Sequence, residues 1–387
     1  MTKTYKIAVV TATRAEYGQL MPLMRNIDGD DMLKLQLIVT GEHLSEKRGR
    51  TVKFILEDGF EIAHQIRILE DGNTPYDISA TMANAVKGFA ACFRDDRPDM
   101  LVILGDRTEM LGVASAAMNE RIPVAHIHGG EITQGAVDDC VRHALTKMSY
   151  LHFTATESYR KRVIQLGEAP DRVFCTGALG VENIRNMKLL NEQEVRQELG
   201  IAGRQPYAVV TFHPVTLEAH SASGQTHELC RAMDAQDAYF YLMTGANADA
   251  GGDIVNQILR TYADRHENAV FIQSLGTKRY LSAVRYAAFV LGNSSSGLLE
   301  APVLGVPSVN IGDRQKGRLH DALVTDCIPK WQEIVKAVRK AEAMPHVPSG
   351  MYGDGNVSEQ MIKIMKDFML HDRIHLKKGF YDMETDL

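Results

Sequence analysis

Short apolar runs alternate with longer amphipathic stretches along the whole chain. In the first half the runs fall at residues 7–10, 35–39, 100–104, 124–127, 151–154 and 173–176. They are apolar at consecutive positions rather than at every second one, which predicts strands buried on both faces, as in a parallel sheet. Between them, residues 19–26, 82–93, 110–119 and 141–148 carry the spacing of helices packed on one side. The rhythm then restarts. A charged stretch at 191–200 predicts a helix, a turn with Gly203 and Pro206 follows, and new strands are expected at 207–212, 240–243, 270–273, 289–291 and 308–311. A last helix is expected at 359–371, after the glycine-rich turn 349–355.

Strands alternating with helices predict an α/β protein of two Rossmann-like, doubly wound domains facing a cleft. The boundaries read as 1–180 for the first domain and 181–358 for the second. Residues 359–387 read as a C-terminal helix and tail, a candidate for packing back on the first domain. A chain of 387 residues is long enough for two cores.

Composition narrows the function classes. Acidic residues exceed basic ones, 49 to 43, for a formal charge of −6, which argues against a nucleic-acid surface. No apolar run approaches the ~20 residues of a membrane span. Met1 runs almost directly into the first strand, which predicts no signal peptide and a cytoplasmic location. Cys92, Cys140, Cys175, Cys230 and Cys327 are scattered without metal spacing and fit reduced thiols.

The strand ends carry the chemistry, because ligands of such sheets bind beyond the carboxyl ends of the strands. In the second half, LGNSSSGLLEAP at 291–302 predicts a strand, a small-residue turn and a helix starting near Ser295. Backbone N–H groups there, with the hydroxyls of Ser294, Ser295 and Ser296 and the open approach at Gly297, suit a diphosphate. Glu300, about one turn into that helix, is placed to hold ribose hydroxyls; the alternative is a plain serine cap. His213 in TFHP, after the strand at 207–212, can donate to a phosphate oxygen or be structural. Arg314 and Arg318 in GDRQKGR suit phosphate or base recognition. Asn247 lies in a fourth strand-end loop, TGANADAGG. Together these loops assign nucleotide binding to the second domain.

In the first half, Arg14 in TATRAEYG follows the first strand and is expected to face the cleft. Asp106 ends the strand of LGDR, where partial shielding makes a carboxylate a usable acid or base; a helix cap is its alternative. HIHGGE at 126–131 follows, and strand alternation puts His126 and His128 on one face. Glu131 and Asp138 come next, with Asp139 and Arg142 in VDDCVRH. This concentration of titratable groups suits proton transfer, with metal binding as the alternative.

The ordered set TRAEYG, LGDR, HIHGGE, VDDxxRH, TFHP, GNSSSGLLE and NIGDRQKGR resembles the hydrolysing UDP-N-acetylglucosamine 2-epimerases of bacterial sialic-acid and legionaminic-acid biosynthesis. The resemblance covers essentially the whole chain and implies a GT-B fold. It implies UDP binding by Arg14, His213, Ser294, Ser295, Glu300 and Arg314, with Asp106, the HIHGGE segment and Asp138 at the sugar. Many relatives carry Glu where this chain has His128, and His where it has Leu104; Glu131 is the candidate for the missing carboxylate's role. The implied reaction eliminates UDP from UDP-N-acetylglucosamine through a 2-acetamidoglucal and rehydrates it to N-acetylmannosamine. It needs no cofactor and no metal. A UDP-linked 2,4-diacetamido-2,4,6-trideoxyhexose is the alternative substrate, and relatives are commonly dimers or tetramers. A non-hydrolysing epimerase, a GT-B glycosyltransferase and a catalytically inert sugar-nucleotide sensor are the rival readings. Release of UDP and a free hexosamine without an acceptor separates the first reading from these three.

Overall fold

The first apolar run sits at the centre of a sheet. In the computed structural model, which describes residues 3–72, 74–132, 137–201, 203–214, 221–246 and 252–383, the chain divides into two units. One is Met1–Asn183 with Gly353–Leu387; the other is Ile184–Tyr352.

In the first unit the strands are β1 (Tyr5–Thr11), β2 (Leu33–Thr40), β3 (His64–Ile66), β4 (Met100–Leu104), β5 (Val124–Ile127), β6 (Leu151–Thr154) and β7 (Val173–Cys175). Their order is β3-β2-β1-β4-β5-β6-β7, and every pairing is parallel. The helices α1 (Arg14–Asp28), α2 (Val52–Glu57), α3 (Pro75–Asp95), α4 (Thr108–Asn119) and α5 (Val137–Met148) connect them. Alternation along β1 splits the core in two. Ile7 and Val9 pack with Leu20, Leu23 and the C-terminal helix residues Met361 and Met365, whereas Ala8 and Val10 pack with Phe89, Phe93 and Val113. Both faces are therefore covered, as the continuous apolar runs require.

The C-terminal helix Val357–Leu370 belongs to this unit. Its first turn is anchored where Ser358 donates its N–H (2.7 Å) and hydroxyl (2.5 Å) to the two oxygens of Glu182, and Lys366 pairs with Asp30 at 2.6 Å.

In the second unit, β8 (Tyr207–Thr211), β9 (Phe240–Thr244), β10 (Ala269–Ile272), β11 (Phe289–Gly292), β12 (Ser308–Ile311) and β13 (Val324–Cys327) are ordered β10-β9-β8-β11-β12-β13, again all parallel. In each unit the winding reverses beside the first strand, between β1 and β4 and between β8 and β11. Chain segments leaving such a pair diverge to opposite faces and open a crevice at the strand ends. Among the described residues no helix is long and apolar enough to cross a membrane.

Candidate functional site

The β4 and β5 ends of the first unit meet around one buried cation. Arg142 on α5, 3% exposed, pairs with the Asp106 carboxylate and donates to Asp139 Oδ1 at 3.1 Å and to the Glu131 carbonyl at 2.8 Å. A buried guanidinium without such partners is strongly unfavourable, so the three acceptors hold one another in place through it. Asp106 is therefore an ion-pair partner rather than a cap, since α4 begins after Arg107 with no side-chain cap. Asp138, in the first turn of α5, has its carboxyl pKa raised, first by partial desolvation and then by the Asp106 charge. The Asp106 charge thus helps Asp138 hold its proton.

The expectation that His126 and His128 share a face is corrected by the backbone. His126 lies inside β5, fully buried, and its Nε2 donates to the Gly105 carbonyl at 2.7 Å. Burial pushes its pKa down to about 3, so it is neutral and structural. His128 lies beyond the strand with φ of 66°, an unusual value for a residue with a Cβ, and strand alternation does not extend to it. It is held there by its N–H to Phe153 O at 2.9 Å. Its Nδ1 lies 3.3 Å from Glu131 Oε1, and its buried Nε2 has no hydrogen-bond partner. Gly130 completes the turn at φ 81°, where a Cβ would come within 2.3 Å of Tyr159 O. The HGGE turn thus sets a histidine behind an outward carboxylate. Among the described residues no cluster of His, Cys, Asp and Glu is arranged to hold a metal ion.

A second cation, Arg107, is held by Glu109 at 2.6 Å, Glu16 at 3.7 Å and Glu42 at 3.8 Å. Glu16 was not foreseen as a site residue. Its Oε2 accepts from the N–H groups of Ala12 (3.0 Å) and Thr13 (3.2 Å) in a capping box at the start of α1, and burial raises its pKa to about 7. The signal was in the sequence, because Thr13 and Glu16 have capping-box spacing. Arg14 opens α1, exposed, with its guanidinium 5.0 Å from the Phe54 ring centroid.

The second unit's strand ends are joined around an uncharged amide. Gly292 ends β11 at φ 143°, where a Cβ would meet Thr211 O at 1.9 Å, so only glycine lets β11 leave β8 this way. The next residue, Asn293, is 1% exposed and ties three loops together. Its Oδ1 accepts from His213 N at 2.7 Å and its Nδ2 donates to His213 O at 2.8 Å. Its carbonyl accepts from Gln315 Nε2 at 2.9 Å and Arg314 NH1 at 3.2 Å. His213, Arg314 and the serine turn are thus brought together by a residue given no role from sequence. Arg318 is half-buried at the end of the same GDRQKGR loop, with its N–H bonded to Gln315 O at 3.2 Å. Asn247 lies outside the described residues.

The serine turn differs from expectation. Ser295–Gly297 form one 3-10 turn, capped by Ser294, and the α-helix spans only Glu300–Val303. Pro302 is the reason. A helix running from Ser295 would put its ring against the Leu298 carbonyl, whereas a restart at Glu300 leaves it in a first turn, where proline is tolerated. The Ser296 N–H donates to Ser294 Oγ at 3.4 Å and the Gly297 N–H to the Ser294 carbonyl at 3.1 Å, so the hydroxyls of Ser294 and Ser295, rather than a helix dipole, are the donors offered here. Glu300 is half-buried, accepts a hydrogen bond from the Ser296 hydroxyl, and has its pKa raised by burial.

Comparison with known proteins gives the family and the fold. The family model described as UDP-N-acetylglucosamine 2-epimerase matches residues 25–366. The chain belongs to that family. It is 41% identical over 322 residues, 83% of this chain and 84% of the relative, to the GDP/UDP-N,N'-diacetylbacillosamine 2-epimerase (hydrolyzing) of Campylobacter jejuni. It is 37% identical over 384 residues to the polysialic acid biosynthesis protein P7 of Escherichia coli, covering 98% of this chain and 97% of the relative. Among solved structures, the UDP-GlcNAc 2-epimerase of Neisseria meningitidis bound to UDP-GlcNAc superposes with a TM-score of 0.73 at 16% identity, over 94% of this chain and 100% of that one. The fold of this family member is GT-B.

Proposed function

We propose that the protein is a hydrolysing 2-epimerase of a UDP-linked 2-acetamido sugar. The observation that carries the reading is the carboxylate cluster organised by Arg142 at the β4 and β5 ends. Glu131, backed by His128, is the base that removes the C2 proton as the C1–O bond to UDP breaks. The bonding pair from C2–H becomes the C1–C2 double bond of an acetamidoglucal. Water then adds at C1, and a proton returns to the opposite face of C2. Asp138 is suited to that delivery, because its raised pKa lets it carry a proton nearer neutral pH than an ordinary aspartate. Asp106 supplies the fixed negative charge beside the cationic anomeric centre.

The departing diphosphate needs fixed donors, and the serine turn with His213 and Arg314 is the proposed set in the second unit. Glu300 is the proposed partner of the ribose. The diacetylbacillosamine epimerase at 41% identity supports a diacetamido-trideoxy sugar as substrate, ahead of the N-acetylglucosamine preferred from the sequence.

Proton NMR with each UDP-sugar in deuterated water, without acceptor or added metal, tests the reaction. Free 2-epimerised sugar carrying deuterium at C2, with UDP released, is the expected result. An epimerised sugar still attached to UDP would refute hydrolysis, and no turnover of either sugar would refute the assignment.

A further inference from the structure

The first unit holds a cavity of about 520 Å³ at the strand ends beside the carboxylate cluster. Its walls come from the 3-10 turn Gly41–Leu44 after β2, the segment after β3, the N-terminal part of α3, and Arg107 to Glu109 at the start of α4. Arg107 directly follows Asp106, so the cavity begins one residue from the proposed sugar site.

Two properties define what it takes. The lining carboxylates outnumber the lining cations, five to three, and Arg107 is already bonded to Glu109 at 2.6 Å, so the cavity does not suit a phosphate. One wall is apolar. Leu44, Ile68, Leu69 and Ile78 line it, and Leu69 and Ile78 are 37% and 49% exposed, which leaves them open to contact with a ligand. A neutral ligand group with methyl and amide parts fits both properties. The guanidinium can donate to an amide carbonyl, and Glu42 or Glu70 can accept an amide N–H.

We infer that this cavity reads the edge of the sugar opposite the reacting C1–C2 bond, and that it selects an acetamido group at C4 and a methyl at C6 over hydroxyls. This rests on the reaction proposed above. C4 lies across the ring from C1, so a sugar held at Asp106 and Glu131 extends that edge away from the diphosphate. Hydroxyls in the same position would face Leu69 and Ile78 without partners, and an apolar wall discriminates by contact.

The test is the full-length enzyme carrying Leu69→Asn and Ile78→Asn together, both at exposed positions where folding is little affected. It is assayed against UDP-2,4-diacetamido-2,4,6-trideoxyglucose and UDP-N-acetylglucosamine. Wild-type enzyme is expected to favour the diacetamido sugar. The double variant is expected to lose roughly 10–100-fold in kcat/KM on it, while changing less than about threefold on UDP-N-acetylglucosamine. Equal losses on both sugars, no loss on either, or a wild-type preference for UDP-N-acetylglucosamine would each overturn the cavity's role and leave the reaction standing. A wild-type enzyme that turns over neither sugar would overturn the reaction and the cavity's role together.

Discussion

The two units share a winding and differ in what they place at the strand ends. Beside β4 and β5 the first unit gathers charge, with Arg142 among Asp106, Asp139 and Glu131 and Arg107 among Glu16, Glu42 and Glu109. Beside β8 and β11 the second unit uses an uncharged amide, Asn293, to fix His213 and the loop of Arg314. A shared sheet order therefore fixes where ligand groups come, and the loop residues decide what they do. An ion-paired carboxylate beside Asp138 raises that residue's hold on a proton, which suits bond making and breaking. A neutral hydrogen-bonded knot positions donors without competing for the anion they are to bind.

The largest effect should come from uncoupling the charged side. Asp106→Asn removes the charge that pairs with Arg142 and helps raise the pKa of Asp138, and Glu131→Gln removes the proposed base. Each is expected to lower kcat by at least ~10³-fold, within the range of positioned acid–base groups. The Kd for UDP, measured by calorimetry, should stay within about threefold of wild type. Near wild-type turnover in both variants would remove the catalytic side of the comparison. A matching loss of UDP affinity would mean that the two sides do not divide the work as proposed.

A smaller and opposite split is expected from Asn293→Ala. Its amide makes two buried hydrogen bonds to the His213 backbone, so truncation leaves an N–H and a carbonyl unpaired, a cost of ~2–4 kcal/mol to folding. UDP binding should weaken by roughly 10–100-fold as His213 and the Arg314 loop lose their common anchor. Asn293→Asp keeps the acceptor for His213 N but adds a negative charge beside the donors, and should bind UDP at least as poorly as the alanine variant. Unchanged UDP affinity in both would make the knot purely structural.

The sequence showed the class of the fold because interior strands of a parallel sheet are apolar on both faces, and β1, β4, β8 and β11 read as unbroken runs. Two of the four edge strands, β3, reading HQI, and β13, reading VTDC, are short and partly polar, and carry no such run. At the site, the loops after β4, β5 and β11 were recognisable by composition. The Arg142–Asp106 pair spans 36 residues, and the Asn293–His213 bonds span 80. Local spacing cannot reveal contacts that exist only once the strands lie side by side. The single α-helix expected from Ser295 failed for a local reason, Pro302, which was visible in the motif itself.

Glu16 gives the finest test of how the charged side is built. It is 7% exposed, and its pKa of about 7 lies above its ordinary value of 4.5, mainly through burial, with Arg107 pulling the other way. Between those two values the folded protein keeps a proton that the unfolded chain has released. Stability from this group therefore falls as pH rises from about 4.5 to about 7 and is level beyond it, a change of about 3 kcal/mol. Glu16→Gln can still accept from Ala12 N and Thr13 N, since glutamine serves in a capping box, but it cannot ionise. Urea unfolding at pH 5 and pH 8 should show the variant gaining stability relative to wild type at the higher pH. Parallel pH profiles would mean that Glu16 is already ionised at pH 5, held so by Arg107. Arg107 would then be a fully engaged ion-pair partner rather than a cation with a face left for the sugar.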